Sequence, residues 1–301
     1  MNEVEAFIVQ HIDAYYLRIL ILFGINIILA LGLNLITGVT GQLSMGHAGF
    51  MSIGAYTSAI LSLHTGAPFW LCLLAGAAMA GIFGVLIGVP TLRLEGDYLA
   101  MVTIGFAEIV RVVFLNLDIA GKAIGLSGIP SHTGFVNVWA VALAVIIANW
   151  QLLKSRVGIA LYAIREDEIA AEASGVNTTL YKIGAFAAGS FLAGIGGCFY
   201  AHFITYINPQ DFGFMKSIEI LNMVVLGGMG SIPGTILGAF VLTLAPEMLR
   251  VVQEYRLLFY GALLVIMMIF RPNGLLGDVR WYDVRKRWTR GEVSPRGSAE
   301  G

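Results

Sequence analysis

The sequence predicts an all-α integral membrane protein, a polytopic bundle of about eight or nine transmembrane helices. Of its 301 residues, 57% are hydrophobic and only 12% are charged, and the mean hydropathy is +0.81. Apolar runs of the length that spans a bilayer, about 17–25 residues, follow one another along the chain. The 37 glycines suit helices that pack closely in lipid, because small residues let backbones approach.

The apolar runs predict nine candidate spans, of which the seventh is short. They are residues 17–36, 45–63, 69–89, 98–115, 136–153, 183–204, 218–228, 232–249 and 257–270. Residues 1–277 are therefore expected to form one transmembrane domain, and residues 278–301 a cytoplasmic, disordered tail. Glycines and alanines spaced by four in two of the runs predict close helix contacts; they are Ala80, Gly84 and Gly88, then Gly230, Gly234 and Gly238.

Lysine and arginine predict the orientation, because cytoplasmic loops carry an excess of both. The central polar segment, residues 154–182, carries four, and the tail from Arg271 carries seven. Both are expected in the cytoplasm. Nine spans then leave the acidic N-terminus outside, and its lack of a basic stretch argues against a cleaved signal. Arg250 and Arg256 would also lie outside, so that turn is an exception or one span is miscounted.

The central polar segment interrupts the apolar pattern and contains a predicted surface helix. Glu166, Asp167 and Glu168 stand together, where carboxylates favour the positive end of a helix. A run of small residues that includes Ala170 and Ala171 follows, and Gly175 then provides the usual helix stop. Small side chains would let another protein approach closely. The alternative is a solvated connecting loop.

Two connections, residues 37–44 and 227–234, contain no charge and are rich in glycine. They stand at similar places in the two halves of the chain, which indicates a weak internal duplication with one break in each half. Irregular backbone inside a membrane is tolerated where other helices bury it. Interrupted apolar segments at matching places point to a transport path. The alternative is that both connections are tight turns between helices.

Polar residues beside these breaks are candidates for lining a translocation path, because polar groups inside spans are costly and need a reason. Alone, His47 is more typical of a hydrogen-bonded interior histidine than of a ligand. Glu108 and Arg111 share a helix face, which favours a structural ion pair over a substrate contact. His202 is expected near water at a span end. The path candidates are Asn34, Gln42, Ser44, His47, Glu219, Asn222, Gly228 and Gly230.

Enzyme and cofactor signatures are missing from the sequence. It contains no GxSxG, no HExxH and no GxxxxGK[ST] phosphate loop, and Cys72 and Cys198 have no metal-binding spacing. We predict no catalytic, cofactor-binding or metal-binding residue, and a membrane-embedded enzyme is disfavoured. The net charge of −1 argues against nucleic acid as a partner. A pump built on this chain needs ATP hydrolysis from another subunit.

Three stretches carry a resemblance to a known family. They are GLNLITGVTGQLSMGHAGF at 32–50, GIALYAIREDEIAAEASGVN at 158–177 and GGMGSIPGTILGA at 227–239. Together they resemble the inner-membrane permeases of branched-chain amino-acid ABC importers, the LivH/LivM family, and are most similar to LivM-type subunits. The resemblance extends over about residues 24–277.

The resemblance implies a heterodimer with a second, LivH-like permease, two cytoplasmic ABC ATPases that use ATP-Mg, and a periplasmic or extracellular binding protein. The helix near residues 168–175 would dock on an ATPase. Its coupling residues would be Glu166, Asp167, Glu168, Ala170, Ala171 and Gly175. The match to the EAA motif of other importers is partial, because Ile169 precedes the alanines.

The resemblance leaves the solute open. Relatives with these stretches carry leucine, isoleucine and valine, whereas similar permeases carry urea, amides or other amino acids. From the residues alone, a self-sufficient channel or an ion-coupled carrier is the alternative from another class, and the uncharged breaks motivate it.

Overall fold

The computed structural model describes residues 13–91, 94, 96–248, 261 and 274–275. Long helices dominate these residues, as the apolar runs predict. The first helix, α1, continues directly into a π-helical turn, Asn34–Val39. The helices are α1 (Ala14–Leu33), α2 (His47–Thr65), α3 (Phe69–Thr91), α4 (Asp97–Asn116), α5 (Phe135–Lys154), α6 (Arg156–Glu166), α7 (Glu168–Ala173), α8 (Thr178–Ile204), α9 (Phe214–Gly227) and α10 (Ile232–Met248).

Five helices in the described part of the chain are long and apolar enough to cross a membrane: Ala14–Val39, α3, α4, α5 and α8. Helices α2, α9 and α10 coincide with three further predicted spans but are shorter or less apolar. The predicted span at 257–270 and the tail at 278–301 lie outside the described residues, apart from residue 261. The chain is therefore a polytopic helical membrane protein, and the count of eight or nine spans stays a prediction.

Helix α8 lies at the centre of the bundle and packs along α1, α2 and α3. Small residues allow this packing. A Cβ atom on Gly194 would lie 2.7 Å from Cβ of Ala80 in α3, and a Cβ on Gly54 in α2 would overlap the backbone of Gly194. A Cβ on Gly84 would lie 2.6 Å from Cβ of Ser190. The small-residue row predicted in α3 is thus confirmed as a face against α8.

Large apolar side chains remain exposed on the outer helices. In α3 they are spaced by three, four or eight residues and so share one face; they include Leu71, Leu74, Ile82, Leu86 and Val89. A soluble protein rarely exposes such a continuous apolar face. Such a face is stable in contact with the hydrocarbon chains of lipids, which agrees with a bilayer around this side of the bundle.

The two ends of the bundle are built differently. At one end, a short antiparallel ladder joins strand β1 (Leu126–Ser127) to strand β2 (Tyr206–Ile207). These strands follow α4 and α8, respectively. At the other end lie α6 and α7, which connect α5 to α8. The connections from α1 to α2 and from α9 to α10 lie at this second end, because they contact α6.

Candidate coupling and translocation site

The central polar segment is helical rather than a solvated loop. Helix α6 begins after Ser155, whose hydroxyl accepts a hydrogen bond from the amide of Val157 at 3.2 Å. Sequence reasoning missed this helix. Its signals are the Ser155 cap and a buried row at Gly158, Leu161 and Ile164, spaced by three as one helix face requires.

Helix α7 is the predicted short helix, and its two ends explain its position. The carboxylate of Asp167 accepts a hydrogen bond from the amide of Ala170 at 2.9 Å and so caps the first turn. At the other end Gly175 has φ +86°. Its amide donates to Glu172 O at 2.9 Å, and the amide of Val176 donates to Ala171 O at 3.1 Å. This is the paired bonding of a glycine-terminated helix.

The expected cluster of three carboxylates in one first turn is wrong in detail. Glu166 ends α6, Asp167 is the cap between the helices, and only Glu168 belongs to the first turn of α7. The physical reason is the extended backbone of Asp167, at φ −157° and ψ 109°. It separates the two helices at this residue.

The predicted coupling residues of α7 lie on different faces of this helix. Ala171 is buried, whereas Ala170 is exposed and Ile169 is 82% exposed. Glu168 forms an ion pair with Lys182 of α8, whose side chain is only 9% exposed. Glu168 therefore ties α7 to the bundle, and the outward face carries Ile169 and Ala170.

The first break, predicted at residues 37–44, has two parts, because the π-helical turn Asn34–Val39 continues the first helix into it before the chain becomes irregular. Residues 40–46 are the irregular part, and most of them are buried among helices. The path candidates Gln42 and Ser44 are buried here, and neither Oε1 of Gln42 nor Oγ of Ser44 has a hydrogen-bond partner in the described structure. Burial of the break is confirmed; its depth in a membrane stays a prediction.

His47 begins α2 and is fully buried. Its Nε2 donates a hydrogen bond to the carbonyl oxygen of Leu29 at 3.1 Å, while Nδ1 has no partner among the described residues. This agrees with the interior histidine expected from the sequence.

The second break is a short turn at 228–231, in which Ser231 N donates to Gly228 O at 3.2 Å. Gly228 and Gly230 have φ +111° and +88°, values that side chains with a Cβ rarely adopt. Helices α9 and α10 pack tightly beyond it, since a Cβ on Gly238 would overlap the carbonyl of Met223. The tight-turn alternative therefore describes the geometry of this break.

The polar path candidates of α9 lie on one partly exposed face. Glu219 accepts a hydrogen bond from Lys216 at 3.0 Å, and the carboxylate side chain is 40% exposed. Asn222 follows on the same face, three residues later. On α4, Glu108 and Arg111 form the predicted ion pair, with Nε and Oε2 at 2.7 Å.

The two breaks contact each other. The amide of Gly230 donates to Oδ1 of Asn34 at 2.8 Å. A Cβ on Gly38 would overlap both Asn34 Oδ1 and the amide nitrogen of Gly230. Leu275, near the C-terminal end of the described chain, donates its amide to Leu226 O at 2.9 Å. Four parts of the chain thus meet at this end of the bundle: the two breaks, the segment that contains Leu275, and helix α6, which contacts both breaks.

Helix α6 supplies two donors to the breaks. The hydroxyl of Tyr162 donates to Gly230 O at 3.0 Å, and Nη1 of Arg165 donates to Gly38 O. Sequence reasoning missed both residues. Their only signal was a basic and an aromatic residue three positions apart, just before the predicted coupling helix.

Other polar groups take structural positions. His202 is fully buried rather than in contact with water. Its Nδ1 donates a hydrogen bond to Pro130 O at 2.8 Å, which replaces a bond to water. Cys72 and Cys198 are free and buried. Within the described ranges, no three His, Cys, Asp or Glu side chains are grouped so that they could hold a metal ion.

Fold and site together define a polytopic helical membrane protein in which two glycine-rich breaks meet beneath a helical polar segment. The chain belongs to the family described as the permease component of the branched-chain amino acid transport system, whose model matches residues 15–268.

Individual relatives are similar over different lengths. The high-affinity branched-chain amino acid transport system permease protein LivM of Escherichia coli K12 is 39% identical over 262 residues, which cover 75% of this chain and 62% of that protein. The corresponding LivH is 32% identical over 143 residues, 46% of each chain. A probable LivM of Methanocaldococcus jannaschii is 26% identical over 254 residues, 74% of each. The match thus spans about three fifths of the length of the Escherichia coli LivM.

One solved structure is similar in fold. PsaBC from Streptococcus pneumoniae, in complex with Fab, matches with a TM-score of 0.50 and 13% identity, covering 94% of this chain and all of the other. At this identity the likeness shows the fold alone.

Proposed function

We propose that the chain is a transmembrane permease subunit of a binding-protein-dependent ABC importer. It forms part of the translocation path for branched-chain or related amino acids, and partner subunits hydrolyse ATP. The observation that carries the proposal is the link from α7 through α6 to the two breaks, in a chain of this permease family. A capped helix with Ile169 and Ala170 on its outward face lies one residue from the helix that bonds both breaks.

The proposed partners follow from the same junction and from the family. One of two ATPases docks on the face of α7 that carries Ile169 and Ala170, and the other docks on a second, LivH-like permease beside this chain. A periplasmic or extracellular protein delivers solute at the end formed by β1 and β2. We place the chain in the bacterial cytoplasmic membrane with its C-terminus in the cytoplasm.

The test is reconstitution in liposomes. This chain, the second permease, both ATPases and the binding protein are expected to take up labelled leucine only with ATP-Mg inside and binding protein outside. Leaving out the ATPases should abolish uptake. Uptake by this chain alone, indifferent to ATP, would overturn the proposal. Competition by isoleucine, valine, urea and simple amides would define the solute class.

A self-sufficient ion-coupled carrier has less support. Its proton or ion sites would need carboxylates in the spans, yet Glu108 is paired with Arg111 and Glu219 with Lys216. If it were a carrier, Glu108→Gln or Glu219→Gln would abolish ion-driven uptake, and Ala170→Arg would have no effect. The importer proposal expects Ala170→Arg to be the damaging change.

A further inference from the structure

Two residues of α6 connect the predicted coupling helix to both breaks. Tyr162 and Arg165 are three residues apart and so point to the same side of the helix. Tyr162 donates to Gly230 O at 3.0 Å, and Arg165 donates to Gly38 O. Nη1 of Arg165 also passes so close to Gly230 that a Cβ there would lie 2.6 Å away. One helix face therefore bonds one carbonyl from each break.

The connection to α7 is short. Arg165 precedes Asp167 by two residues, and Asp167 is the only residue between α6 and α7. A displacement of α7 must therefore move the last turn of α6, which carries Arg165. The ion pair between Glu168 and Lys182 ties α7 to α8 rather than to either break.

The contact between the breaks is a polar one, between the backbone of two glycines and the Asn34 side chain. At its centre are Gly38 and Gly230, which have no side chains to interlock, and the amide of Gly230 is bonded to Asn34. Directional hydrogen bonds of this kind are lost over small displacements, because they weaken steeply with distance and angle. Donors from α6 can therefore determine whether the breaks stay together.

We propose that Tyr162 and Arg165 are positioning residues that hold the two breaks closed, and that movement of α7 on a docked ATPase opens the path by withdrawing them. The inference rests on the proposed function for the role of the ATPase. The closure itself does not depend on that role. We call this pair of hydrogen bonds the α6 latch.

The first test measures closure by thiol labelling in the reconstituted complex. Cys72 and Cys198 are replaced by Ala, and Gln42→Cys serves as the reporter. Gln42 is buried in the first break, and it follows Gly41. Gly41 lies next to Arg165, since a Cβ atom added to this glycine would lie 3.2 Å from Cγ of Arg165. Tyr162→Phe and Arg165→Met should raise the labelling rate about tenfold, as expected for the loss of one hydrogen bond in each case. Arg165→Lys, which keeps a donor, should restore part of the closure.

Matched controls lie on the same elements. Arg156→Met removes the same charge at the far end of α6, about 13 Å along the helix from Arg165. Tyr181→Phe removes a hydroxyl from α8, on a residue that packs with Tyr162 against a small apolar cluster around Leu161. Neither should change the labelling rate. Equal labelling in the latch variants and the controls would overturn the inference.

A second readout separates coupling from a merely structural role. In protein without the Gln42→Cys reporter, complexes that carry the latch variants should hydrolyse several times more ATP for each solute molecule transported. In protein with the reporter, the labelling rate of the latch variants should no longer change when nucleotide is added. Loss of stability alone would lower uptake and hydrolysis together at an unchanged ratio. If Arg165→Met does not fold, Tyr162→Phe and Arg165→Lys carry both measurements.

Failure of the two proposals can be told apart. If the unmodified complex shows no ATP-driven uptake, the proposed function fails, whereas labelling still tests closure. If the unmodified complex transports and the latch variants keep its labelling rate and its ATP-to-solute ratio, the function stands and the latch is wrong.

Discussion

The backbone amide of Gly230 donates a hydrogen bond of 2.8 Å to the side chain of Asn34, across 196 residues of sequence. Asn34 is only 2% exposed, so no bulk water is at hand to replace this acceptor. A buried donor left unpaired costs more than the hydrogen bond itself contributes. This bond therefore ties the second break directly to the π-helical turn that ends the first helix.

Asn34→Leu is expected to lower the free energy of unfolding by about 1–3 kcal/mol, because the half-buried amide of Gly230 loses its partner. The matched control is Asn149→Leu. Asn149 is also buried, but its amide donates to Val145 O within its own helix, so its loss should cost less than about 1 kcal/mol. Denaturant unfolding in detergent micelles measures both, and equal losses would contradict the prediction.

Gly38→Ala should destabilise the protein by about 1–3 kcal/mol through overpacking. Its new methyl group would overlap Asn34 Oδ1 and the amide of Gly230. Gly184→Ala in α8 makes the same chemical change where nothing lies within 4 Å. It should be neutral or stabilise by up to about 1 kcal/mol, because alanine favours a helix interior. Melting curves that shift in the same direction for both variants would refute this.

Glu168→Gln should lower the free energy of unfolding by about 1–3 kcal/mol, since it leaves Lys182 charged and almost fully buried. The loss stays below the roughly 3–5 kcal/mol of a fully buried pair, because the Glu168 side chain is 35% exposed and water screens it. Glu172→Gln, on the exposed side of α7, should change little.

Adding Lys182→Met to Glu168→Gln should recover part of that loss, since no unpaired charge then remains buried. A double-mutant cycle of unfolding free energies measures the coupling between the two residues. Additive losses would mean that the two side chains do not interact in the folded protein.

Ala170→Arg and Ala171→Arg should damage different properties, although the residues are neighbours: the first should impair ATPase binding and the second should lower stability. Ala170 is exposed, so its replacement should leave stability within about 0.5 kcal/mol but block retention of the ATPases. Ala171 is buried, with 5% of its surface exposed, so arginine there should destabilise the fold itself. Co-purification with the ATPases, paired with melting temperatures, separates the two. Normal co-purification of Ala170→Arg would remove α7 as the docking face.

Local patterns were sufficient for much of the site. The bounds of α7 follow from Asp167 and Gly175, because capping and left-handed backbone are properties of single residues and their near neighbours. Glu108 and Arg111 were predictable as a pair for the same reason, since they lie three apart on one helix. Helix α6 was missed because its buried row is short and contains Gly158, which indicates no helix face by itself.

Composition and hydrophobic pattern alone determined that this chain is a polytopic helical membrane protein with a polar segment between its halves and two glycine-rich breaks. Water and lipid act on every residue according to its own chemistry, so such features are visible without coordinates. Contacts between distant segments are not visible in this way. Only the tertiary structure decided that Asn34 bonds Gly230, that Lys182 holds Glu168, and that Tyr162 and Arg165 reach both breaks. Each of these depends on how the helices pack, because the packing brings together groups that are far apart in the chain.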